Sequence, residues 1–535
     1  MKTKFKLTLN LLFLVISLNV FSQSTSIPNV LNLKSAKNSG KIVENEKIVG
    51  YYVFYFKEKN DKKSSTYEVS IYDDNFKLKK NFEITRPKNS TLLETVFNGK
   101  SFLFYFFDSK MGLELVTIDK TGKQLGAIAI SKKEMGAFEI QSLNSSIASG
   151  IDNISIYPLG NRGFIRSSYT KNKKTGYEVK GYDNNLKELW TIQSDENSNQ
   201  MEFLEINEVS ENYILSTVQK KKNALARSME TSCLIIDLNS GKLIKEVSLE
   251  AEDKGKLSIL NSTYISEEGY FIVVGEYFKP GDNFVKDNSL GIYVQKLSES
   301  GKVLSINKFS WKGDINKFKQ ENLDEEDVKD ANKSFYIYFH DIIVSKSGHI
   351  SLIGEQYKKQ VSGKALLGAG LGIAAAAAGG SVNNNASNFE IRIANMIVME
   401  LDEKINLIDF DVIQKRKTSV LLPQGAGLWS AAYLGHYVNS MGAFDYSFLS
   451  KDKANDNYTV VFRDYNRKEE GSKAKNDCML GVINFVGGKR DFKRVAINSE
   501  TKYWWVDSTK PGYVVVGEYF RKEKKVDLRL EGLNY

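Results

Sequence analysis

The stretch YFIVVGEYF, residues 270–278, is one of three near-copies of a short apolar segment that decide the fold. The other two are ISLIGEQY at 350–357 and YVVVGEYF at 513–520. Each is a run of β-branched and aromatic residues leading into Gly-Glu, and such runs are typical of strands buried on both faces. Because the same strand recurs at distant places, the chain is expected to consist of repeated units.

Each unit contains four strands, which we name A to D in chain order, and the near-copies are B strands. The turn between strands C and D repeats too, with Asp, Asn, Ser or Gly at positions where these residues cap hairpin turns. We therefore interpret Asp73, Asp119, Asp183, Asp237 and Asp402 as turn residues rather than catalytic groups or metal ligands. The B strands are predicted to start near Gly50, Ser101, Gly163, Asn212, Gly269, Gly348, Tyr458 and Gly512.

Four antiparallel strands per unit, with apolar central strands, resemble the blade of a β-propeller. The sequence therefore predicts an all-β propeller of eight blades, with seven as the alternative. The last unit ends at VDLRLEGLNY, residues 526–535, without a D strand. Because an open sheet edge has to be covered, we expect the N-terminal stretch IPNVLNLKSA, 27–36, to complete this blade.

Residues 1–22 have the pattern of a secretory signal peptide, with three lysines ahead of an apolar run. The run is too short to remain as a membrane span. We expect cleavage before Gln23 and a location in the periplasm, in the outer cell envelope or outside the cell. The remaining chain, 23–535, is predicted to be a single propeller domain.

The net charge and the two cysteines bear on two further questions, whether the protein binds nucleic acid and whether it contains a disulfide bond. The formal net charge of +9 is mild for 535 residues and is not clustered, which does not indicate a nucleic-acid partner. Cys233 and Cys478 occupy equivalent places in units four and seven. Equivalent residues three blades apart lie too far from each other for a disulfide, so we expect both thiols to be free and buried.

The long connections all join strand B to C, or strand D to the next A, and these connections emerge at the same end of the blades. The A–B and C–D turns are short. Since loops on a rigid scaffold carry binding, we expect the functional face at the end with the long loops. The long connections are 131–152, 220–231, 279–288, 312–335, 358–388, 417–442 and 465–476.

Two of these connections have a distinct character. The segment NLDEEDVKDANKSF, 322–335, predicts a short helix with acidic residues in its first turn. The segment 421–444 is rich in glycine and aromatic residues. It supplies four candidate binding residues, Trp429, Tyr433, His436 and Tyr437.

The insertion 358–388 contains the uncharged run ALLGAGLGIAAAAAGG, 365–380. This run is shorter than the about 20 apolar residues of a membrane span. A surface loop, docking against the protein or a partner, and membrane insertion remain as alternatives. The candidate contact residues for a partner or membrane are Leu366, Leu367, Leu371 and Ile373.

Glu276, Glu355 and Glu518 occupy one repeated position, at the end of strand B. Carboxylates at a tunnel mouth could bind a cation or act as acid and base. The simpler interpretation is a polar strand end that hydrogen-bonds to the neighbouring blade. The chain has three histidines and lacks both HExxH and CxxC, so we predict no metal and no cofactor.

In detail the chain resembles an uncharacterised family of exported bacterial proteins. The resemblance rests on a signal peptide that ends in Ser-Gln, on the GEQY strand with its Ala/Gly-rich insertion, and on the returning strand IRIANMIVMELD, 391–402. The family has no established activity, so the resemblance implies export and no reaction.

The sequence favours a non-enzymatic propeller of the cell envelope that binds a protein or glycan partner through the long-loop face. One alternative is a hydrolase or lyase that acts on an extracellular polymer with Glu276, Glu355 or Glu518 at the tunnel mouth. Another alternative is an envelope scaffold that contacts the membrane through the run 365–380.

Overall fold

The described strands form eight antiparallel sheets of four strands, one of which gains a short fifth strand, and the fold is that of an eight-bladed β-propeller. The eight-blade prediction is confirmed. The computed structural model describes residues 23–32, 39–44, 47–59, 63–149, 155–171, 174–223, 226, 229–251, 253–317, 335–362, 388–465, 478–501 and 503–533. The signal peptide 1–22, the run 365–380 and nearly all of 322–335 lie outside these residues, so the expectations for them remain predictions.

The chain divides into two compact units: one of residues 1–88, 120–122 and 498–535, the other of 89–119 and 123–497. The first unit contains blade 1 and blade 8. Blade 1 is formed by β2 (Gly40–Glu44), β3 (Lys47–Lys59), β4 (Ser64–Asp73) and β5 (Leu78–Pro87). Blade 8 is formed by β31 (Trp504–Ser508), β32 (Tyr513–Phe520), β33 (Lys525–Gly532) and β1 (Ser24–Ile27).

The second unit contains blades 2 to 7, each built from consecutive strands. Blade 2 consists of β6 (Ser90–Phe97), β7 (Ser101–Asp108), β8 (Gly112–Asp119) and β9 (Gln124–Ser131). Blade 3 consists of β10 (Ile156–Pro158), β11 (Gly163–Thr170), β12 (Gly176–Asp183) and β13 (Glu188–Gln193). Blade 4 consists of β14 (Met201–Val209), β15 (Tyr213–Lys221), β16 (Glu230–Asp237) and β17 (Leu243–Ser248). Blade 5 consists of β18 (Leu257–Ile265), β19 (Tyr270–Tyr277), β20 (Gly291–Ser298) and β21 (Val303–Ser310). Blade 6 consists of β22 (Tyr336–Val344), β23 (Ile350–Val361), β24 (Phe389–Leu401) and β25 (Leu407–Ile413). Blade 7 consists of β27 (Tyr446–Asp452), β28 (Asn457–Tyr465), β29 (Cys478–Val486) and β30 (Lys489–Ala496).

The N-terminal strand completes blade 8 as expected, but three residues earlier than predicted. Strand β1 pairs antiparallel with β33, with Ile27 opposite Val526. The strand ends at Ile27 because Pro28 follows, and proline has no N–H for the ladder. The stretch 27–36 therefore supplies only the last residue of the strand, while Val30 packs into the apolar core of this unit.

Burial explains why the B strands are apolar on both faces. All eight residues of β7, the B strand of blade 2, are buried. By contrast, β17, the D strand of blade 4, is almost wholly exposed. In the second unit, an apolar cluster joins each blade to its successor, such as the cluster that Leu103, Leu115, Phe164 and Tyr182 form between blades 2 and 3. A large apolar side chain contributes about 1.5–3 kcal/mol when it is fully buried. Packing between blades thus accounts for the repeated apolar strand.

The prediction for the turn aspartates is confirmed. Each of the five accepts one or two backbone N–H groups of its own turn at 2.7–3.0 Å. In three turns the fourth residue has a positive φ although it is not glycine: Phe76 at 58°, Leu186 at 63° and Ile405 at 64°. These three side chains are buried in the apolar clusters, and that burial offsets the cost of the left-handed backbone.

The connections on the long-loop face contain most of the remaining regular structure. Helix α1 (Ala137–Ser149) lies between blades 2 and 3, and a π-helical turn, Trp311–Ile315, follows blade 5. Strand β26 (Thr418–Leu421) and helix α2 (Ala431–Ser440) lie between blades 6 and 7. In the described part of the chain, no helix is long and apolar enough to span a membrane.

Candidate binding site

Helix α2 begins where the segment 421–444 meets the B–C loop of blade 5. Ser430 caps the helix by accepting the N–H of Tyr433 at 3.0 Å, and its own hydroxyl donates to the carbonyl of Phe284 at 2.6 Å. The N–H of Ala431 is taken by the side chain of Asn288 at 2.9 Å. The first turn of α2 is therefore fixed to blade 5 by groups that also satisfy its free donors.

The other side of α2 packs on blade 6. The hydroxyl of Tyr357 donates to the carbonyl of Ala431 at 2.9 Å, and Leu434 and Val438 lie in an apolar cluster with strands β22 and β24. Gly435 is required here because a Cβ atom would lie 2.5 Å from the Tyr357 hydroxyl. This close approach explains the glycine in the middle of a ten-residue helix.

Both ends of the insertion 414–445, which contains α2, converge on one buried carboxylate. Glu355 accepts a salt bridge from Lys415 at 2.8 Å, and Lys415 also contacts Asp445. The same carboxylate accepts the N–H groups of Asp445 and Tyr446, each at 3.1 Å. Lys415 opens the insertion and Asp445 closes it, so Glu355 connects its two ends to strand β23.

The groups around Glu355 favour its ionised form. Burial opposes the ionisation of Glu355, but the ammonium of Lys415 and the imidazole of His340 lower the pKa of the carboxyl to about 2. Burial raises the pKa of Asp445 despite its contact with Lys415. Glu355 is therefore the ionised partner of the buried lysine, and its exposed fraction is 0%.

Glu276 occupies the equivalent position in blade 5, but no described lysine, arginine or histidine forms an ion pair with it. Its Oε1 accepts only the hydroxyl of Ser289 at 2.6 Å, and its Oε2 has no partner among the described residues. The side chain is 1% exposed, and burial raises its pKa to about 7. Ser289 in turn accepts the indole N–H of Trp311 at 3.0 Å. Burial therefore favours the neutral form of the Glu276 carboxyl group.

Glu518, in the first unit, is the third member of the predicted set. It contacts Arg529 and accepts the N–H of Glu500 at 3.1 Å, and it is 5% exposed. Each of the three glutamates thus lies inside its own blade and bonds to protein groups. Only Glu355 bonds to the following blade, through Asp445 and Tyr446.

The four residues predicted from the segment 421–444 come together around a cleft beneath α2, whereas Leu366, Leu367, Leu371 and Ile373 lie outside the described residues. Two cavities of about 390 Å³ and 550 Å³ meet there, and both are lined by Tyr433 and His436. Tyr437 lines the larger cavity. Trp429 packs edge-on against Tyr433, with ring centroids 5.1 Å apart. The walls are formed by the A strands of blades 3, 4 and 6, by residues of the B strands of blades 3 and 4, and by α2.

His436 contributes a neutral ring to this cleft. Burial lowers its pKa to about 4, and its Nε2 has no hydrogen-bond partner within the described residues. The ring packs edge-on against Phe284 and Tyr338, at 5.2 and 5.6 Å between centroids. At neutral pH this buried imidazole is therefore uncharged.

Several cleft residues were not found from the sequence. Glu205 lines both cavities, as does Phe203, while Tyr157, Tyr169 and Tyr338 line the larger one. They belong to four strands in three blades and form no motif. One signal could have found most of them, because A strands begin at the long-loop face and their first residues must lie there.

The described residues offer neither a reactive thiol nor a metal-binding cluster outside this cleft. Cys233 is free and buried as predicted, whereas the side chain of Cys478 is not among those described. Burial raises the pKa of the Cys233 thiol to about 12, so this thiol is unreactive. Within the described residues, no group of three His, Cys, Asp or Glu side chains is placed to hold a metal ion.

The chain belongs to a family of unknown function, DUF6770, whose model matches residues 1–534. This confirms the resemblance to an uncharacterised family. The comparison with curated proteins finds no match.

Similar solved structures include a prolyl endopeptidase, with 10% identity and a TM-score of 0.36 over 91% of this chain and 55% of that protein. They also include the cobalt-substituted apocarotenoid oxygenase of Synechocystis, with 10% identity and a TM-score of 0.29 over 49% of this chain and 58% of the oxygenase. The aligned region thus spans less than two thirds of the endopeptidase and less than two thirds of the oxygenase. At these TM-scores the likenesses support no inference about activity.

The two glutamates at equivalent strand ends should respond oppositely to neutralisation. An unfolded glutamate has a pKa of about 4.3. Because burial raises the pKa of Glu276 to about 7, the wild-type fold loses stability as the pH rises from about 4.3 to 7. Glu276→Gln should therefore stabilise the protein by up to about 3 kcal/mol at pH 8 and leave it unchanged near pH 4.

Glu355→Gln is the matched control, and its sign is reversed. The lowered pKa of Glu355 contributes stability that is present above about pH 4.3 and lost as the pH falls towards 2. Its neutralisation should destabilise the protein by about 3 kcal/mol at pH 8, because Lys415 loses a buried partner. Urea unfolding of both variants measures this. Equal effects of the two substitutions would contradict the assignment of charge.

Proposed function

We propose that this protein is an exported, non-enzymatic binding protein that takes a segment of a partner protein into the cleft beneath α2. The observation that supports the proposal is the lining of the larger cavity. Aromatic rings alternate there with hydroxyl and amide groups from Ser167, Thr217, Gln219 and Asn439. Rings provide contact area at a low entropic cost, while hydroxyl and amide groups bond to a peptide backbone.

The placement of the three strand-end glutamates favours binding over hydrolysis. A catalytic acid or base has to come within hydrogen-bonding reach of the substrate. Glu276, Glu355 and Glu518 are buried and engaged with protein groups, apart from one oxygen of Glu276 that has no partner among the described residues. Glycans also bind to aromatic rings and hydroxyl groups. An experiment therefore has to distinguish peptide binding from polysaccharide binding in this cleft.

The export component rests on the signal-peptide pattern of residues 1–22. If export occurs, the protein isolated from its native cells begins at Gln23, and mass spectrometry of its N-terminal peptide detects that residue as the first. A chain that retains Met1 and remains with the cytoplasmic fraction would contradict this part of the proposal.

Binding in the cleft predicts a specific dependence on Tyr433, which lines both cavities. Immobilised wild-type protein should retain peptides from a random library, and Tyr433→Ala should weaken their binding by about tenfold or more, as for a central aromatic contact. Isothermal titration of the selected peptides measures the loss. Tyr513→Ala removes an exposed tyrosine of the first unit and is the matched control.

Three outcomes separate the alternatives. Peptides that bind wild type and Tyr513→Ala equally but Tyr433→Ala weakly support the proposal. Peptides that bind all three proteins alike would place binding outside the cleft and overturn it. Retention of soluble polysaccharides in place of peptides, again dependent on Tyr433, would assign the cleft to glycans.

A further inference from the structure

The cleft contains a carboxylate that the protein leaves without a partner. Glu205 lies on β14 with its side chain exposed to both cavities. Within the described residues, it takes part in no hydrogen bond and no ion pair. The protein that surrounds the cavity raises the pKa of Glu205 by partial desolvation. A carboxylate held in this way gains from any cation that enters the cavity.

Aromatic rings surround this carboxylate. Tyr169 and Tyr338 line the larger cavity together with Glu205. Burial, with the charge of Glu205 as a smaller cause, raises the pKa of both phenols. Tyr157 responds to the charge of Glu205 in the same way. Phe203 packs edge-on against Tyr169, with centroids 6.1 Å apart. Ring faces attract ammonium and guanidinium groups, and aromatic cages recognise such cations.

The distribution of charge points to one of the two cavities. The smaller cavity is lined by Lys221 and Lys256 in addition to Glu205. Among the described residues that line the larger cavity, Glu205 is the only acidic side chain and no lysine or arginine occurs. His436 is neutral there at neutral pH, since its pKa is about 4. The larger cavity therefore combines one negative charge with tyrosine rings.

We propose that the larger cavity receives a basic side chain, lysine or arginine, of the bound peptide. The cationic group lies against the Glu205 carboxylate, and its alkyl stem lies between the rings of Tyr169 and Tyr338. The ion pair forms within a partly desolvated cavity, where it is stronger than at the surface. This inference rests on the proposed peptide-binding function and adds the chemical class that the cleft selects.

The test uses the peptides whose binding depends on Tyr433. Those peptides should share a lysine or arginine, and its replacement by glutamine should weaken binding to wild-type protein by at least about tenfold. In Glu205→Gln the same replacement should have no further effect, because the partner charge is already absent. Glu211→Gln removes an exposed carboxylate at the opposite end of the same blade and is the matched control.

The outcomes keep this inference distinct from the proposed function. If the Tyr433-dependent peptides contain no basic residue, or tolerate glutamine in its place, the inference is overturned while the binding function remains. If no peptide depends on Tyr433, the proposed function fails as well. Free L-arginine that competes as strongly as the peptides would reassign the cavity to small cationic molecules. Thermal unfolding of Glu205→Gln, expected at or above the wild-type temperature because the pKa of Glu205 is raised, confirms that the variant is folded.

Discussion

The ion cluster of Glu355, Lys415 and Asp445 determines where the cleft beneath α2 can form. Glu355 fixes both ends of the insertion that contains α2, and the blades themselves fix the carboxylate. Burying these charges is costly, and the cluster is tolerable because each charge has partners. Removing one partner from a buried pair costs about 3–5 kcal/mol. The helix that covers the cleft is thus held by a strong but local interaction.

The repeated Gly-Glu strand end serves the fold in three different ways. In blade 6 the carboxylate joins a long insertion to the sheet, and in blade 8 it bonds to Arg529 and to a backbone N–H. In blade 5 it faces Ser289 alone, and burial favours its neutral form. One sequence signal therefore encodes a common backbone position, while the neighbouring loop decides the charge of the side chain.

Features that depend on local sequence could be predicted, and features that depend on several blades could not. The blades, the aspartate turns and the closing N-terminal strand follow from strand periodicity, turn chemistry and the need to cover a sheet edge. The end of that strand depends on Pro28, which the repeat pattern did not take into account. The four predicted residues of 429–437 do gather around the cleft, since one short helix and the turn before it carry them.

Glu205 and the tyrosines around it escaped prediction for a physical reason. Each is an ordinary strand residue, and the carboxylate becomes distinctive only when the blades place it in a cavity lined by aromatic rings. The reverse holds for the strand-end glutamates, which stand out in the sequence yet are buried in the fold. Repetition in this chain identifies structural positions, and the binding chemistry that we propose lies at positions that do not repeat.

The most direct measurement of the central claim is hydrogen exchange of Lys415→Ala. If the ion cluster holds α2 over the cleft, amides of 431–440 should exchange about a hundredfold faster than in wild type, because the cluster contributes about 3 kcal/mol or more to keeping the helix closed. Amides of β7 and β8 in blade 2 should keep their protection, and Lys404→Ala, an exposed turn lysine, should change neither. Unchanged exchange in α2 of a folded Lys415→Ala protein would contradict the account.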